Sequence, residues 1–291
     1  MTDVIPDSRI SIALRDYLLE PAVSLTGVGW LGTSEQNLLT NTYSKLATAT
    51  TNTTETAVDL GSSTKIDIVT IPRHTLSINS TWRLRVSEDT TLLTDPGSVA
   101  AIDILYDSGA VSVWPKLTDI LDIPYDQYEE WAGGFSGSTN PPTYTKVGVS
   151  ARYLHIELVD PDSTGYTVSK VVVAPYWRPT GGVSAGWSTR YVQKGKAHTR
   201  LPGGGVFVDA RANTRQLRIK LNTLTEAEVF NQATTIDKTL TKKIPYTVVL
   251  DPTDTSNASR LFMYGTNNKI TPAKSTFPGF FTKTLILDEW T

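Results

Sequence analysis

The segment from 150 to 179 constrains the fold of this chain more than any other part of the sequence. Aliphatic side chains alternate with polar or aromatic ones over 153–158, and a second apolar run follows at 170–174. A period of two is typical of a half-buried β-strand. The pattern predicts two strands joined by the polar turn at 160–163, which together form an antiparallel β unit.

The composition also favours strands and excludes several functional classes. Threonine and aromatic residues favour strands, whereas 20 glycines and 16 prolines divide the chain into short elements. The absence of cysteine excludes disulfides, thiolate metal sites and cysteine nucleophiles. A formal net charge of -2 provides no basic field for nucleic acid. No apolar run approaches the roughly 20 residues of a membrane helix, and the first residues lack the pattern of a signal peptide.

Two local patterns predict particular elements. The segments 101–106 and 111–114 resemble the strands of a hairpin around the turn at 107–109. Thr225, followed three residues later by Glu228, has the spacing of a capping box and predicts the start of a helix. The residues expected on the buried face of this helix are Ala227, Phe230 and Ala233.

These elements predict a mainly β chain in three parts. Residues 1–22 form an N-terminal arm, 23–180 form a β-sandwich, and 181–291 form a smaller β-sandwich with one α-helix. The boundary between the two sandwiches is placed at Gly181-Gly182, where the spacing of the elements changes.

A family resemblance rests on four segments of the chain. They are 37–86, which contains VDLGSSTKIDIVTIPRHTLS; 106–115, YDSGAVSVWP; 151–161, ARYLHIELVDP; and 221–254, which begins LNTLTEAEVFNQ. Together they resemble structural proteins from the tail tips of tailed bacteriophages. The chain departs from the family pattern at Thr75 and Ala110, where the family has asparagine and often an aromatic residue.

The resemblance implies a discoidin-like, galactose-binding-like jelly roll at 23–180, followed by a domain similar to tail-tube and distal-tail proteins at 181–291. It implies a viral structural protein of the tail tip or baseplate, which forms a symmetric ring with copies of itself. Its other partners are then further tail proteins. The expected location is the tail of the virion, after synthesis in the host cytoplasm.

A long aromatic and acidic segment at 119–144 contains most of the candidate binding residues. Aromatic rings pack against the C–H face of a sugar, and neighbouring carboxylates accept hydrogen bonds from its hydroxyls, so a host-surface glycan is one ligand. The same residue types are typical of protein–protein interfaces. A carbohydrate-binding module for adsorption therefore stays open beside the structural role. The candidate interface or saccharide-binding residues are Trp114, Tyr125, Tyr128, Trp131, Phe135 and Tyr144.

No catalytic or metal-binding signature accompanies these residues. His74, His155 and His198 are far apart in sequence, and His155 shares a strand face with Glu157 without a third ligand beside them. The acidic residues at 119–126 lack the pattern of a calcium loop, and no nucleophile elbow occurs. The sequence predicts a protein that is not an enzyme, with no cofactor and no metal.

Overall fold

The computed structural model describes residues 10–40, 42, 45–113, 143–181, 186–192, 199–200, 206–207, 214–240, 244–250 and 261–290. The chain divides into two compact units. The first unit comprises Ser11–Trp177 and Thr247–Phe262; the second comprises Met1–Ile10, Arg178–Tyr246 and Met263–Thr291. Residues 11–22, which the sequence placed in an arm, thus belong to the first unit. The predicted domain limits of 23–180 and 181–291 stay predictions.

Antiparallel β-sheets dominate the described structure, so the predicted mainly β class is confirmed. The strands are β1 (Ser11–Ala13), β2 (Ser24–Val28), β3 (Ala47–Thr48), β4 (Thr53–Ile71), β5 (Thr81–Ser87), β6 (Ile104–Asp107), β7 (Val111–Ser112), β8 (Thr143–Val159), β9 (Thr167–Val168), β10 (Val172–Ala174), β11 (Tyr176–Trp177), β12 (Trp187–Val192), β13 (Thr199–Arg200), β14 (Val206–Phe207), β15 (Thr214–Thr225), β16 (Tyr246–Val249), β17 (Phe262–Lys269), β18 (Lys274–Phe277) and β19 (Phe280–Glu289). Helix α1 spans 226–239, and 3₁₀ turns cover Tyr17–Leu19, Ser34–Leu39 and Thr90–Leu93. None of the described helices is long and apolar enough to cross a membrane.

The main sheet of the first unit is built around the long strands β4 and β8. Its strand order is β10-β4-β8-β5-β6, with β2 also paired to β4 and β7 also paired to β5. Because side chains alternate between the two faces of a strand, one face of β8 supplies the core. The core residues that the sequence pattern predicted on this strand are Leu154, Ile156 and Leu158, and all three are buried.

The strands on either side of the polar turn at 160–163 do not pair with each other. β10 pairs with β4, with Val172 opposite Thr70, and β4 lies between β10 and β8. The predicted pairing is therefore wrong, although both strands exist. Alternation specifies which face a residue occupies but not which strand lies beside it, and the connection here passes across β4.

The predicted hairpin around the turn at 107–109 is also wrong in its pairing. β6 and β7 both pair with β5. Arg83 on β5 donates through Nε and NH2 to the carboxylate of Asp107, at 2.9 and 2.6 Å, and Ser108 N donates to Leu84 O at 3.0 Å. These bonds hold the turn residues against β5, so the two short strands add to it at separate positions.

The sheet of the second unit includes the strand order β12-β15-β19-β17, with β18 also paired to β19. β15 and β19 pair from Gln216 opposite Asp288 to Thr225 opposite Phe280. One face of this sheet is apolar and buried. The apolar residues of β15 and β19 that are buried most completely are Leu217, Ile219, Leu221, Leu224, Leu285 and Leu287.

Helix α1 begins at the predicted capping box, but its buried face differs from the prediction. Thr225 Oγ1 accepts from Glu228 N at 3.3 Å, and Glu228 Oε2 accepts from Thr225 N at 2.8 Å. Ala233 is buried as predicted, whereas Ala227 is exposed and Phe230 is 64% exposed. Residues Val229–Ala233 form a π-helical turn, which inserts an extra residue and rotates the helix face relative to a 3.6-residue period. The residues buried along α1 and at its end are Val229, Ala233, Ile236 and Leu240.

Glu228 also holds the chain at residue 180. Its Oε1 accepts from Thr180 N at 2.7 Å and from Thr180 Oγ1 at 3.0 Å. Burial raises the pKa of Glu228, but the hydrogen bonds from Thr225 and Thr180 outweigh it and lower the pKa below its usual 4.5. A carboxyl group whose pKa is lower in the folded state stabilises the fold above its unfolded pKa, and this stabilisation is lost as pH falls.

The substitution Glu228→Gln should therefore reduce stability in a pH-dependent way. We expect a lower urea midpoint than wild type at about pH 7, because the amide cannot accept at both terminal atoms. The difference in urea midpoint between wild type and Glu228→Gln should become smaller as pH falls below about 4, where the wild-type carboxylate becomes protonated. Urea titrations at neutral and acidic pH, with Glu226→Gln as the exposed control, check this. A difference in urea midpoint that stays constant with pH would contradict a stabilising role for the negative charge of Glu228.

Candidate functional site

Most of the site residues predicted from the sequence lie outside the described part of the chain. They are Trp114, Tyr125, Tyr128, Trp131 and Phe135. Tyr144 belongs to β8, where its backbone lies opposite Thr70 on β4. The assignment of these six residues to an interface or saccharide site stays a prediction.

A groove beside the β18–β19 hairpin carries exposed aromatic side chains. Phe277 and Phe280 flank the turn and are 67% and 48% exposed. Gly279 in this turn has φ of +80°, a left-handed conformation that favours glycine. We call this surface the aromatic groove. Its apolar lining is Phe277, Pro278 and Phe280, and its polar lining is Lys220, Asn222, Thr223 and Thr282.

An irregular step in β15 contributes to the polar lining of the aromatic groove. The register between β15 and β19 shifts between Leu221 and Leu224. Thr223, within this step, has φ of +56°, which is strained for a β-branched residue. Gly181 packs against it so closely that a Cβ at 181 would lie 2.0 Å from Thr223 Oγ1. Backbone strain of this kind is concentrated at functional sites, and here the strained residue lines the groove.

The aromatic groove combines ring surfaces with groups that form hydrogen bonds. The Lys220 ammonium donates, and the Asn222 amide and the threonine hydroxyls both donate and accept. Thr223 Oγ1 donates to Asn222 O at 2.6 Å, which leaves the hydroxyl oxygen able to accept. Such an arrangement suits a ligand that has an apolar face and hydroxyl groups at its edge.

The outer face of the first unit's sheet holds a second set of polar residues. Arg83 forms a bidentate pair with Asp107, and Arg85 Nε lies 4.0 Å from Asp107 Oδ2. The hydrogen bond from Arg83 lowers the pKa of Asp107. His155 Nε2 lies 3.2 Å from Glu55 Oε2. The charges on this face therefore pair with one another across neighbouring strands, which explains their arrangement without a ligand.

His155 is buried on this outer face. Burial lowers the pKa of its imidazole, and the hydrogen bond with Glu55 opposes that effect only in part. The hydrogen bond joins the imidazole Nε2 to a carboxylate oxygen of Glu55. Among the described residues, no group of three or more His, Cys, Asp or Glu side chains could hold a metal ion.

Comparisons of the sequence with known proteins identify no relative. No protein-family model matches the chain, and no curated protein sequence matches it.

The chain also matches solved structures, several of which are carbohydrate-binding modules. A GH29 fucosidase of Ruminococcus gnavus in complex with fucose is 12% identical with a TM-score of 0.36, over 56% of this chain and 27% of the enzyme. A CBM32 module of Clostridium perfringens in complex with GalNAc-β-1,3-galactose is 13% identical with a TM-score of 0.36, over 54% of this chain and 99% of the module. The CBM32 of AlyQ in complex with 4,5-unsaturated mannuronic acid is 17% identical with a TM-score of 0.32, over 52% of this chain and 92% of that module. This chain thus spans only 27% of the length of the fucosidase.

The two phenylalanines of the aromatic groove were not among the site residues predicted from the sequence. Their signal is the run Phe277-Pro278-Gly279-Phe280, since Pro and Gly together mark a tight turn. A turn of this kind places the flanking rings at a hairpin tip, where little of the chain can cover them. The polar lining gives no comparable signal, because Lys220 and Thr223 lie in a segment that is distant in sequence.

Proposed function

We propose that this chain is a glycan-binding protein without enzymatic activity, and that it binds sugar in the aromatic groove. The observation that carries the proposal is the exposure of Phe277 and Phe280 beside the polar groups of Lys220, Asn222 and Thr282. The sequence resemblance to galactose-binding-like jelly rolls lies in residues 23–180, outside the segments that line the groove, so it supports the class of function and not this location.

A pyranose ring has two kinds of surface, and the groove matches both. Its axial C–H groups form an apolar face that covers an aromatic side chain, and its hydroxyls point outward to donors and acceptors. Burying an exposed phenylalanine contributes roughly 1.5–3 kcal/mol, and hydrogen bonds at the edge fix the orientation of the ring. The groove has no carboxylate among its lining residues, so it provides no acid or base pair for glycosidic cleavage.

Substitution of either groove phenylalanine by alanine should weaken glycan binding. We expect Phe277→Ala and Phe280→Ala each to reduce affinity about tenfold, and the double variant to abolish detectable binding. The wild-type protein is first screened on an array of bacterial surface glycans, and its best ligand is then titrated by calorimetry. Phe230→Ala is the matched control, because Phe230 is an equally exposed phenylalanine that does not line the groove.

Two outcomes would overturn the glycan-binding proposal. The first is a wild-type protein that binds no glycan on an array that includes host polysaccharides. The second is a loss of binding in Phe230→Ala as large as that in Phe277→Ala. Circular dichroism and the urea midpoint of each variant separate a lost contact from a lost fold.

We propose as a second candidate that the chain is a structural component of a bacteriophage tail tip or baseplate. In this role it is made in the host cytoplasm, joins a symmetric ring and contacts other tail proteins. The favouring observation is the sheet edge at β12, where Trp187 and Tyr191 are exposed. An antibody against this chain should label the tail tip in electron micrographs of purified particles, and particles without label would remove this candidate.

A further inference from the structure

Strand β12 forms an open edge of the sheet in the second unit. In the described structure β12 pairs with β15 alone, from Trp187 opposite Ile219 to Val192 opposite Thr214. The strand therefore presents a row of backbone N–H and C=O groups on its other side. Unpaired edges of this kind are templates for the addition of another strand.

The side chains of β12 extend the apolar face of the sheet beyond its covered part. Residues directly opposite each other in an antiparallel pair lie on the same face, so Trp187 and Thr189 share the face of buried Ile219 and Leu217. Tyr191 lies on this face as well. Even so, Trp187 is 47% exposed and Tyr191 is 62% exposed. Two large aromatic side chains thus remain uncovered where the apolar face reaches the edge.

Three of the usual protections of an open edge are missing from β12. Natural edge strands carry prolines, lysines or bulges that prevent pairing, and none of these occurs between Trp187 and Val192. The one charged residue, Arg190, donates through Nε to Gln216 Oε1 at 2.7 Å and lies on the opposite face from the aromatic pair. The edge is therefore regular, and β12 itself places no charge on the face of its aromatic pair; the residue opposite Tyr191 on that face is Arg215 of β15, which pairs with Glu289.

We propose that β12 pairs antiparallel with β12 of a second copy of this chain, with Thr189 at the twofold axis. This register places Trp187 opposite Tyr191 of the second copy, and Tyr191 opposite the second copy's Trp187. Both aromatic pairs then lie on the apolar face, where aromatic cross-strand pairs stabilise a sheet. On the other face Arg190 lies opposite Ser188 of the second copy, so no like charges meet. Trp187 and Tyr191 lie two residues before and two residues after Thr189, so the strand is complementary to itself. A C2 dimer requires this property.

The proposed dimer is weak, because a strand of six residues buries little surface. Stable interfaces bury roughly 1,200–2,000 Å², which two copies of β12 do not provide by themselves. We expect a dissociation constant in the range of about 10 μM to about 1 mM. Within a larger assembly this contact would act together with others. The inference does not depend on glycan binding, which takes place in the aromatic groove.

Charge substitutions at Thr189 test both the dimer and its register. Thr189 is exposed, so Thr189→Lys and Thr189→Glu should fold as wild type. Each variant alone would place two like charges opposite each other, and we expect dimerisation at least about tenfold weaker. An equimolar mixture of the two places Lys opposite Glu and should restore the dimer. Sedimentation equilibrium of the full chain, at concentrations from about 10 μM to about 1 mM, measures the dissociation constant of the dimer. Circular dichroism is the folding control.

Ser275→Lys is the matched control, since it adds the same charge at an exposed position on β18 and should leave the dimer intact. A wild-type protein that stays monomeric up to about 1 mM overturns the proposal and leaves the edge to a different partner. A dimer that persists in Thr189→Lys overturns it as well, as does a mixture that fails to recover. Failure of this test leaves the glycan titrations unaffected, so the two proposals stand or fall separately.

Discussion

Replacing Asp16 by alanine should lower the free energy of unfolding of the first unit by about 4 kcal/mol. Lys170 is buried, and its Nζ lies 2.7 Å from Asp16 Oδ2. Asp16 Oδ1 also accepts from Leu18 N at 3.1 Å and from Val173 N at 3.3 Å. One carboxylate thus pairs with a buried cation, caps the 3₁₀ turn at Tyr17–Leu19 and holds β10. Its removal leaves the buried ammonium of Lys170 without the counter-charge of Asp16, and this is the source of the large effect.

A series of variants separates the charge of Asp16 from its hydrogen bonds. Asp16→Asn keeps an acceptor for the two backbone N–H groups and should have an intermediate effect. Arg15→Ala is the control on the same turn, because Arg15 is largely exposed and its ion pair with Glu20 should contribute less than about 1 kcal/mol. Urea unfolding measures the change in the free energy of unfolding for each variant. Hydrogen exchange of the β4 and β8 amides then assigns that change to the first unit. An effect of Asp16→Ala no larger than that of Arg15→Ala would contradict the role of the buried pair.

The alternation along β8 predicted which of its residues lie in the core, but not which residues on its other face are buried. Leu154 and Ile156 are buried as their spacing predicts. Tyr153, on the face expected to be polar, is also buried because it packs against Leu92 and Val99. These two residues belong to the connection between β5 and β6, which covers one end of the outer face. Periodicity describes one strand by itself and contains no information about a distant loop that folds over it.

Helix α1 shows the same division between local and non-local information. The capping box of Thr225 and Glu228 depends on residues three positions apart, and it formed as predicted. The exposure of Phe230 follows from the π-helical turn that begins at Val229, which no periodicity of 3.6 residues anticipates. Similarly, the short strands at 104–112 were predicted, yet their partner β5 was not, because strand pairing is decided by contacts across the fold.

The aromatic groove could be predicted only in part. The exposed tip at Phe277 and Phe280 follows from a turn that the sequence shows directly. The strained conformation of Thr223 has no such signal, since it results from the register shift between β15 and β19 and from the close approach of Gly181. Sites assembled from two distant segments depend on register, and register is determined by the whole sheet.

The second unit contains a buried ion pair whose two partners should respond very differently to substitution. Lys283 on β19 is buried, and its Nζ lies 2.6 Å from Asp237 Oδ2 on α1 and 2.9 Å from Thr271 O. Asp237→Ala should lower the free energy of unfolding of this unit by about 3 kcal/mol, because the ammonium then keeps only the carbonyl as a partner. Lys283→Met should change it by less than about 1 kcal/mol, since a thioether of similar length fills the site and removes the charge that needs a partner.

The double variant Asp237→Ala with Lys283→Met distinguishes a stabilising bond from a buried charge that has to be neutralised. If the pair stabilises the unit by its own attraction, the two single effects are similar and the double variant is no more stable than either. If the cost arises from leaving Lys283 unpaired, the double variant should recover most of the stability lost in Asp237→Ala. We expect recovery, because the Asp237 side chain is 29% exposed and regains water when Lys283 is absent, whereas the Lys283 side chain is only 1% exposed. Urea unfolding monitored by hydrogen exchange of β19 amides measures the three free energies, and an unrecovered double variant would refute this account of how α1 is held on its sheet.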